Sequence, residues 1–349
     1  MSLPVFWFVL VAVLFTGYFV LEGFDYGVGM LMPILGRSSE VKKRVLLNTI
    51  GPVWDGNEVW LLTAGGAMFA AFPEWYASLF SGFYLALLLI LVGLIARACA
   101  IEWRGKINDP KWRRWCDIGI GLGSWIPALA WGLAFANVVH GVKLNAHRQI
   151  EGNLFDLLNP YAILGGLTTL LLFLLHGAVF VSLKTGGDVR EDARLAMLRL
   201  LPPTALVVAA FGLWTQFAYG KGWTWIPLVL AVIGLVVTAV GAVKGRDGWA
   251  FTGTAVTIAA ATVLLFGSLF PNVLPSTIDD AYSLTVDGRD GTVSASSTHY
   301  TLVVMSWVAV AMVPIVLIYQ AWTYWVFRKR LTTDQIPAPI GLSVRPART

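Results

Sequence analysis

The chain has 349 residues, of which 57% are hydrophobic and 13% are charged, and its formal net charge is +5. Soluble domains carry about 25% charged residues, so this composition excludes an ordinary soluble protein. The positive charge does not indicate a nucleic-acid partner, because the basic residues are concentrated in loops on one side of the predicted membrane spans.

Apolar runs of about 20 residues recur along the chain and predict an all-α polytopic membrane protein with nine transmembrane helices. The first run, residues 5–34, has no basic start and continues far beyond a signal sequence, so we expect it to be retained. The other predicted spans are residues 49–72, 76–99, 117–140, 160–183, 197–218, 223–243, 249–270 and 301–326. We expect residues 1–330 to form a single transmembrane domain and residues 331–349 to form a cytoplasmic tail.

The lysine and arginine residues are distributed unequally between the two sides of these spans. Twenty of the 25 fall on one side and four on the other, while Arg97 lies within or at the edge of the third span. The four are Lys143, Arg148, Lys221 and Arg289. Because basic loops stay in the cytoplasm, we expect the N-terminus outside and the C-terminus in the cytoplasm.

Four acidic residues lie inside the apolar spans, Glu22 and Asp25 in the first and Asp55 and Glu58 in the second. A charge near the centre of a membrane helix costs about 2.5–3.5 kcal/mol, so these carboxylates must face protein or water, share protons, or act in transport. The members of each pair are three residues apart and share a helix face. With a rise of 1.5 Å per residue, Asp55 would lie roughly 10 Å and Asp25 roughly 15 Å from the cytoplasmic ends of neighbouring helices. This depth predicts a series of proton carriers that admits protons from the cytoplasm.

A structural role is the alternative for these acids, which could pair with Arg97, Asn57 or backbone groups. Of the four histidines, only His176 lies well inside a span, and a lone histidine there is more often a hydrogen-bonded packing residue. Heme iron takes axial ligands such as histidine, methionine or cysteine, so any multi-heme redox centre would be held largely by another chain. The isolated Cys99 and Cys116 make a poor metal site, and we predict no metal ligands.

Several motifs, in this order and spread over almost the whole chain, resemble those of subunit II of the cytochrome bd-type quinol oxidases. They are EGFDYGVG at residues 22–29, WDGNEVWLLTAGGA at 54–67, FAAFP at 69–73, NP at 159–160, FP at 270–271, LPS at 274–276 and VPI at 313–315. The resemblance implies two four-helix bundles plus one peripheral helix, in a heterodimer with subunit I in the bacterial plasma membrane. That complex would oxidise quinol, reduce dioxygen to water and take protons from the cytoplasm, and this chain would not be active alone.

The resemblance also implies which groups and residues serve this activity. Heme d and heme b would be held by subunit I, while this chain borders them and can hold a structural quinone, with a small accessory subunit as a further partner. Asp25 and Asp55 would deliver protons, and Trp60 would lie near an oxygen entry route. The other candidates are Glu22 and Glu58 for proton transfer, and Trp54, Asn57 and Arg97 near the heme core or channel.

Two other functions stay open when the membrane acids are considered without the motifs. A proton-coupled secondary transporter would use the carboxylates to couple substrate to protons, and it would bind substrate without a heme-containing partner. A structural scaffold would keep its activity when Asp25 or Asp55 is neutralised.

Overall fold

The computed structural model describes residues 2–288, 291–338 and 341–342. Its α-helices are α1 (Leu3–Leu35), α2 (Glu40–Ile50), α3 (Trp54–Ala71), α4 (Pro73–Gly82), α5 (Tyr84–Trp103), α6 (Pro110–His140), α7 (Pro160–Lys184), α8 (Gly187–Ala218), α9 (Trp225–Val243), α10 (Asp247–Leu269) and α11 (His299–Val326). Short strands β1 (Asn272–Leu274), β2 (Leu284–Thr285) and β3 (Val293–Ser294) form a sheet in which β1 and β2 are antiparallel and β2 and β3 are parallel. Single 3-10 turns lie at Leu154–Leu157, Gly222–Thr224, Asp280–Tyr282 and Thr333–Gln335.

Local sequence determines where several of these helices begin. Asp109 precedes α6 and accepts a hydrogen bond from the Lys111 backbone N–H at 2.8 Å, and Pro110 occupies the first helical position. Asn159 and Pro160 start α7 in the same way, with the Asn159 side chain accepting from the Ala162 N–H at 2.9 Å. A side-chain acceptor and a proline at these positions satisfy or remove backbone donors that the helix leaves free.

Eight helices in the described ranges are long and apolar enough to cross a membrane, which agrees with an all-α polytopic membrane protein. The predicted span 49–72 is divided, because α2 ends at Ile50 and a new helix begins at Trp54. The resulting α3 has 18 residues and is long enough, but its hydropathy is too low for it to be counted with these eight. The predicted span 76–99 is also divided, between α4 and α5 at Phe83. The chain reaches the predicted nine spans only if α3 also crosses the membrane.

Helices α1, α6, α7 and α10 pack against one another at the centre of the structure, with α3 and α5 on one side and α8 and α9 on the other. The contact between α1 and α7 is close because Gly27 faces Gly177, and a Cβ atom on either would overlap the backbone of the other helix. Small residues permit such crossings in membrane proteins. Only a small part of α11 is buried, so this helix is peripheral.

Gly27→Ala is expected to destabilise the protein, because the added methyl group must push α1 away from α7. Overpacking of a tight contact costs about 1–3 kcal/mol, and the thermal midpoint of the purified protein should fall accordingly. Gly248→Ala is the matched control, since a Cβ atom there meets nothing within 4 Å. Equal midpoints for the two variants would contradict the close crossing.

The basic loops lie together at one end of the helices, as predicted from the unequal distribution of lysine and arginine residues. Ion pairs there join Lys42 to Asp192, Lys43 and Arg104 to Asp117, Arg104 to Glu40, and Arg190 and Arg330 to Asp247. The first tail residues also lie at this end, because the Leu331 N–H donates to the Lys184 carbonyl at 2.8 Å. The cations Arg289, Arg345 and Arg348 lie outside the described residues.

Candidate functional site

Three of the four membrane acids surround Arg97, and the fourth lies apart. Glu22 and Asp25 on α1 and Arg97 on α5 are all fully buried, at 0% exposed. Glu58 on α3 reaches the same guanidinium and is partly buried, with 21% of its side chain exposed. We call Glu22, Asp25, Glu58 and Arg97 the arginine cluster.

Arg97 holds the cluster together through its guanidinium. Its Nη2 forms an ion pair with Glu22 Oε1 and lies 3.7 Å from Glu58 Oε2. The guanidinium also sits over the ring of Tyr26, 4.7 Å from the ring centroid. A cation facing an aromatic ring is attracted to it, so the arginine is held by three groups, Glu22, Glu58 and the Tyr26 ring.

Asp25 is held by a chain of side chains that begins on the peripheral helix. Asn57 Nδ2 donates to Asp25 Oδ2 at 2.7 Å, while Asn57 Oδ1 accepts from Tyr324 Oη at 2.7 Å and from Gln320 Nε2 at 3.2 Å. Trp60 Nε1 in turn donates to Gln320 Oε1 at 2.8 Å. These contacts fix the orientation of the Asn57 amide, so that its N–H faces the Asp25 carboxyl. Asn57 and Trp60 therefore belong to the site, and α11 helps to position it.

Five residues of this network were not predicted from the sequence. Tyr18 and Tyr26 hydrogen-bond to each other through their hydroxyls beside the cluster, and Trp131 Nε1 donates to Tyr18 at 3.2 Å. Tyr18, Glu22 and Tyr26 are spaced four residues apart, which places them in one stripe on α1. Gln320 and Tyr324 have the same spacing on α11. Polar side chains spaced four residues apart on an apolar helix share one face, and this pattern was the signal in the sequence that could have identified these residues.

Asp55 lies outside the arginine cluster. It is exposed in this chain, it lies in the first turn of α3, and its Oδ1 accepts a hydrogen bond from the Gly56 N–H at 2.8 Å. The predicted depth of roughly 10 Å assumed a continuous helix from residue 49, whereas the chain turns between α2 and α3; the depth itself stays a prediction. Trp54, also in this first turn, is partly buried against the hydrophobic core that surrounds α2.

His176 has the contacts of a packing residue. Its Nδ1 lies 2.6 Å from Thr254 Oγ1 and its Nε2 lies 3.0 Å from the Val20 carbonyl oxygen. The ring stacks on Phe251 and is fully buried. Both ring nitrogens are thus occupied by protein partners.

An apolar groove of about 560 Å³ opens between α1, α3, α4, α5 and α6. Its walls include Leu62, Phe69, Tyr76, Leu88 and Trp131. Concave, mostly apolar sites of this size suit small hydrophobic ligands. The groove therefore fits a hydrocarbon chain better than a charged molecule.

Comparison of the sequence and fold with known proteins identifies a matching family. Residues 3–327 match the family described as cytochrome bd terminal oxidase subunit II. The chain is 43% identical to cytochrome bd ubiquinol oxidase subunit 2 of Bacillus subtilis over 336 residues, which cover 95% of this chain and 97% of that protein. It is 36% identical to cytochrome bd-I ubiquinol oxidase subunit 2 of Escherichia coli K12 over 368 residues, covering 95% of each. Its fold matches a chain of the bd oxidase from Geobacillus thermodenitrificans with a TM-score of 0.74 at 19% identity, over 94% of this chain and 100% of that one.

Proposed function

Since the chain belongs to the subunit II family of cytochrome bd terminal oxidases, we propose that it forms one wall of a proton route within the oxidase. The resemblance inferred from the motifs is confirmed, and the transporter and scaffold hypotheses give way to a terminal oxidase subunit in a bacterial membrane. In this proposal Asp25 and Asp55 carry protons, Glu58 and Glu22 assist them, and the complex oxidises quinol.

The buried carboxyl of Asp25 is the observation that carries this proposal. It is fully buried inside membrane-spanning helices, and Asn57 holds one of its oxygens. Ionisable groups at such depth are costly and are typically parts of ion or proton pathways. Glu58 follows exposed Asp55 by three residues on α3, and its carboxylate lies 3.7 Å from buried Arg97. Protons would therefore enter near Asp55 and reach Asp25 by way of Glu58.

The side chains of this subunit fit a wall around hemes better than a set of heme ligands. Both ring nitrogens of His176, the histidine buried within the described spans, already have hydrogen-bond partners. We therefore propose that subunit I holds heme d and heme b, which supply the redox centre for dioxygen reduction when bound. Trp60, Trp54, Asn57 and Arg97 would line the heme core or channel from this side.

We further propose that the apolar groove takes the isoprenoid chain of a quinone. The groove is formed almost entirely by apolar side chains from five helices. Such a surface favours a hydrocarbon chain through the hydrophobic effect and offers little to a polar headgroup. The quinone would then have a structural role in this subunit.

We also propose an arrangement of the helices and of the subunits in the membrane. With α3 as a ninth span, α1, α3, α5 and α6 would form one four-helix bundle, α7–α10 the second, and α11 the peripheral helix, within a single transmembrane domain of residues 1–330. The exposed apolar side chain of Val59 on α3, which lies outside the groove lining, suits contact with subunit I, without which the chain would be inactive. The end rich in ion pairs, with the tail 331–349, would face the cytoplasm, and the N-terminus would lie outside. A small accessory subunit could join the heterodimer.

Asp55→Asn in the purified complex is expected to lower the rate of dioxygen consumption roughly tenfold while leaving the heme content unchanged, because asparagine cannot carry a proton. The measurement is oxygen uptake with quinol, together with an optical spectrum of the hemes.

Asp188→Asn is the matched control, since Asp188 is another exposed aspartate in the first turn of a helix. It should keep the full rate. Full activity of the Asp55→Asn complex with intact hemes would contradict a proton role for Asp55, and loss of the hemes would indicate that Asp55 is structural.

A further inference from the structure

Two carboxylate oxygens in the arginine cluster have no hydrogen-bond partner although they are buried. They are Glu22 Oε2 and Asp25 Oδ1. The other oxygen of each group is engaged, Glu22 Oε1 by Arg97 and Asp25 Oδ2 by Asn57. Buried acceptors without a donor are rare in folded proteins because the lost hydration is not replaced. Arg97 Nε and Nη1 are buried without a partner as well, so neither donates to these two oxygens. A proton bound by one of the two carboxyls would supply the missing donor.

The charges around the same two carboxyls do not balance if every acid is ionised. Glu22, Asp25 and Glu58 would carry three negative charges against the single positive charge of Arg97, which is the one cation that contacts them in the described part of the chain. The remaining groups that face the cluster are uncharged: Tyr18, Tyr26, Asn57 and Tyr324. Burying uncompensated charge in a membrane helix is unfavourable. The cluster is therefore expected to bind a proton.

We propose that Glu22 and Asp25 form a carboxyl dyad that shares one proton at rest. The two residues are three apart on α1, so their side chains lie on one face of the helix. A proton on Asp25 Oδ1 would donate to Glu22 Oε2, and each unpartnered oxygen would gain a partner. The dyad would then carry one negative charge, which pairs with the Arg97 guanidinium, and the remaining negative charge would lie on Glu58, which is partly exposed. Carboxylates that share a site commonly keep one proton between them for the same reason.

This inference rests on the proposed proton route and adds the place in that route where a proton is held. Asn57 binds the second oxygen of Asp25, which leaves Oδ1 as the atom that carries the proton. The dyad is a property of the resting protein, so it can be observed without turnover.

Infrared spectroscopy of the purified complex tests the dyad directly. We expect a C=O band of a protonated carboxyl that moves to lower frequency in D₂O and again when aspartate is labelled with ¹³C at its side-chain carboxyl. Asp25→Asn should remove this band, because Glu22 then remains ionised beside Arg97. Glu22→Gln should remove it too, because Asp25 would lose its proton and become the counter-ion of Arg97.

Glu151→Gln is the control, since Glu151 is exposed in an outer loop, and this variant should leave the band unchanged. A band of full intensity in the Glu22→Gln complex would show that the proton belongs to Asp25 alone and would overturn the shared dyad. If the variants do not assemble, the labelled wild-type complex still tests the proposal, because the absence of any aspartate-dependent band contradicts it.

A normal oxygen-uptake rate in Asp55→Asn would contradict the proton route while leaving this band in place, so failure of the proton route and failure of the dyad are distinguishable.

Discussion

Asp25→Asn should reduce the dioxygen consumption of the complex roughly 100-fold, because positioned proton transfer contributes about 10²–10⁴-fold to a rate. Asparagine has nearly the same shape as aspartate and can keep a hydrogen bond to Asn57, but it cannot take up and release a proton. Heme content and subunit composition should stay unchanged. Oxygen uptake with saturating quinol, divided by the heme concentration, gives the rate.

Asp25→Glu serves as the comparison for this substitution, since it restores a carboxyl group in almost the same place. It should recover much of the lost rate even though the longer side chain disturbs packing against α3. If Asp25→Asn and Asp25→Glu lose equal activity, the shape of the side chain matters rather than its proton, and the assigned role of Asp25 is wrong.

Arg97→Gln should destabilise the subunit by about 3–5 kcal/mol, because removal of one partner leaves a buried charge without compensation. Arg97 is fully buried and forms an ion pair with Glu22, which is fully buried as well. The thermal midpoint of the complex, followed by heme absorbance, should therefore fall sharply. The yield of assembled complex in the membrane should fall with it.

The double variant Glu22→Gln and Arg97→Gln tests whether the ion pair causes this loss. Two neutral amides can hydrogen-bond to each other without a buried charge, so the double variant should be more stable than Arg97→Gln alone. Arg199→Gln is a matched control on an exposed arginine of α8 and should change the midpoint little. Equal losses for the single and double variants would show that Arg97 stabilises the fold through packing instead.

Much of the architecture could be predicted because a membrane imposes simple requirements on the chain. Every backbone polar group in the hydrocarbon region must be paired internally, so long apolar runs become helices, and runs such as 160–183 and 249–270 match α7 and α10 closely. The predictions failed where a helix ends and a new one begins inside an apolar run. The break at residues 51–53 and the break at Phe83 are turns within apolar stretches, and hydropathy averaged over about 20 residues does not detect them.

The candidate site was predicted in part for a related reason. Acids in apolar spans are conspicuous in a sequence, so Glu22, Asp25 and Glu58 were found at once. Arg97 and Asn57 were considered as partners of these acids, but the residues that orient Asn57 were not predicted, because Gln320 and Tyr324 lie more than 260 positions away from Asn57 along the chain. A single sequence does not show which distant helices are neighbours.

The sequence by itself determined that this is an all-α membrane protein of the subunit II family, with carboxylates in its first two predicted spans and a strong concentration of basic residues on one side. These properties depend on composition, local periodicity and short motifs. Only the tertiary structure decided that Arg97 gathers Glu22 and Glu58, that α11 orients Asn57 toward Asp25, and that Asp55 lies on the surface of this chain. Such contacts depend on how helices pack and on where they break, and those features arise from the whole chain rather than from any one segment.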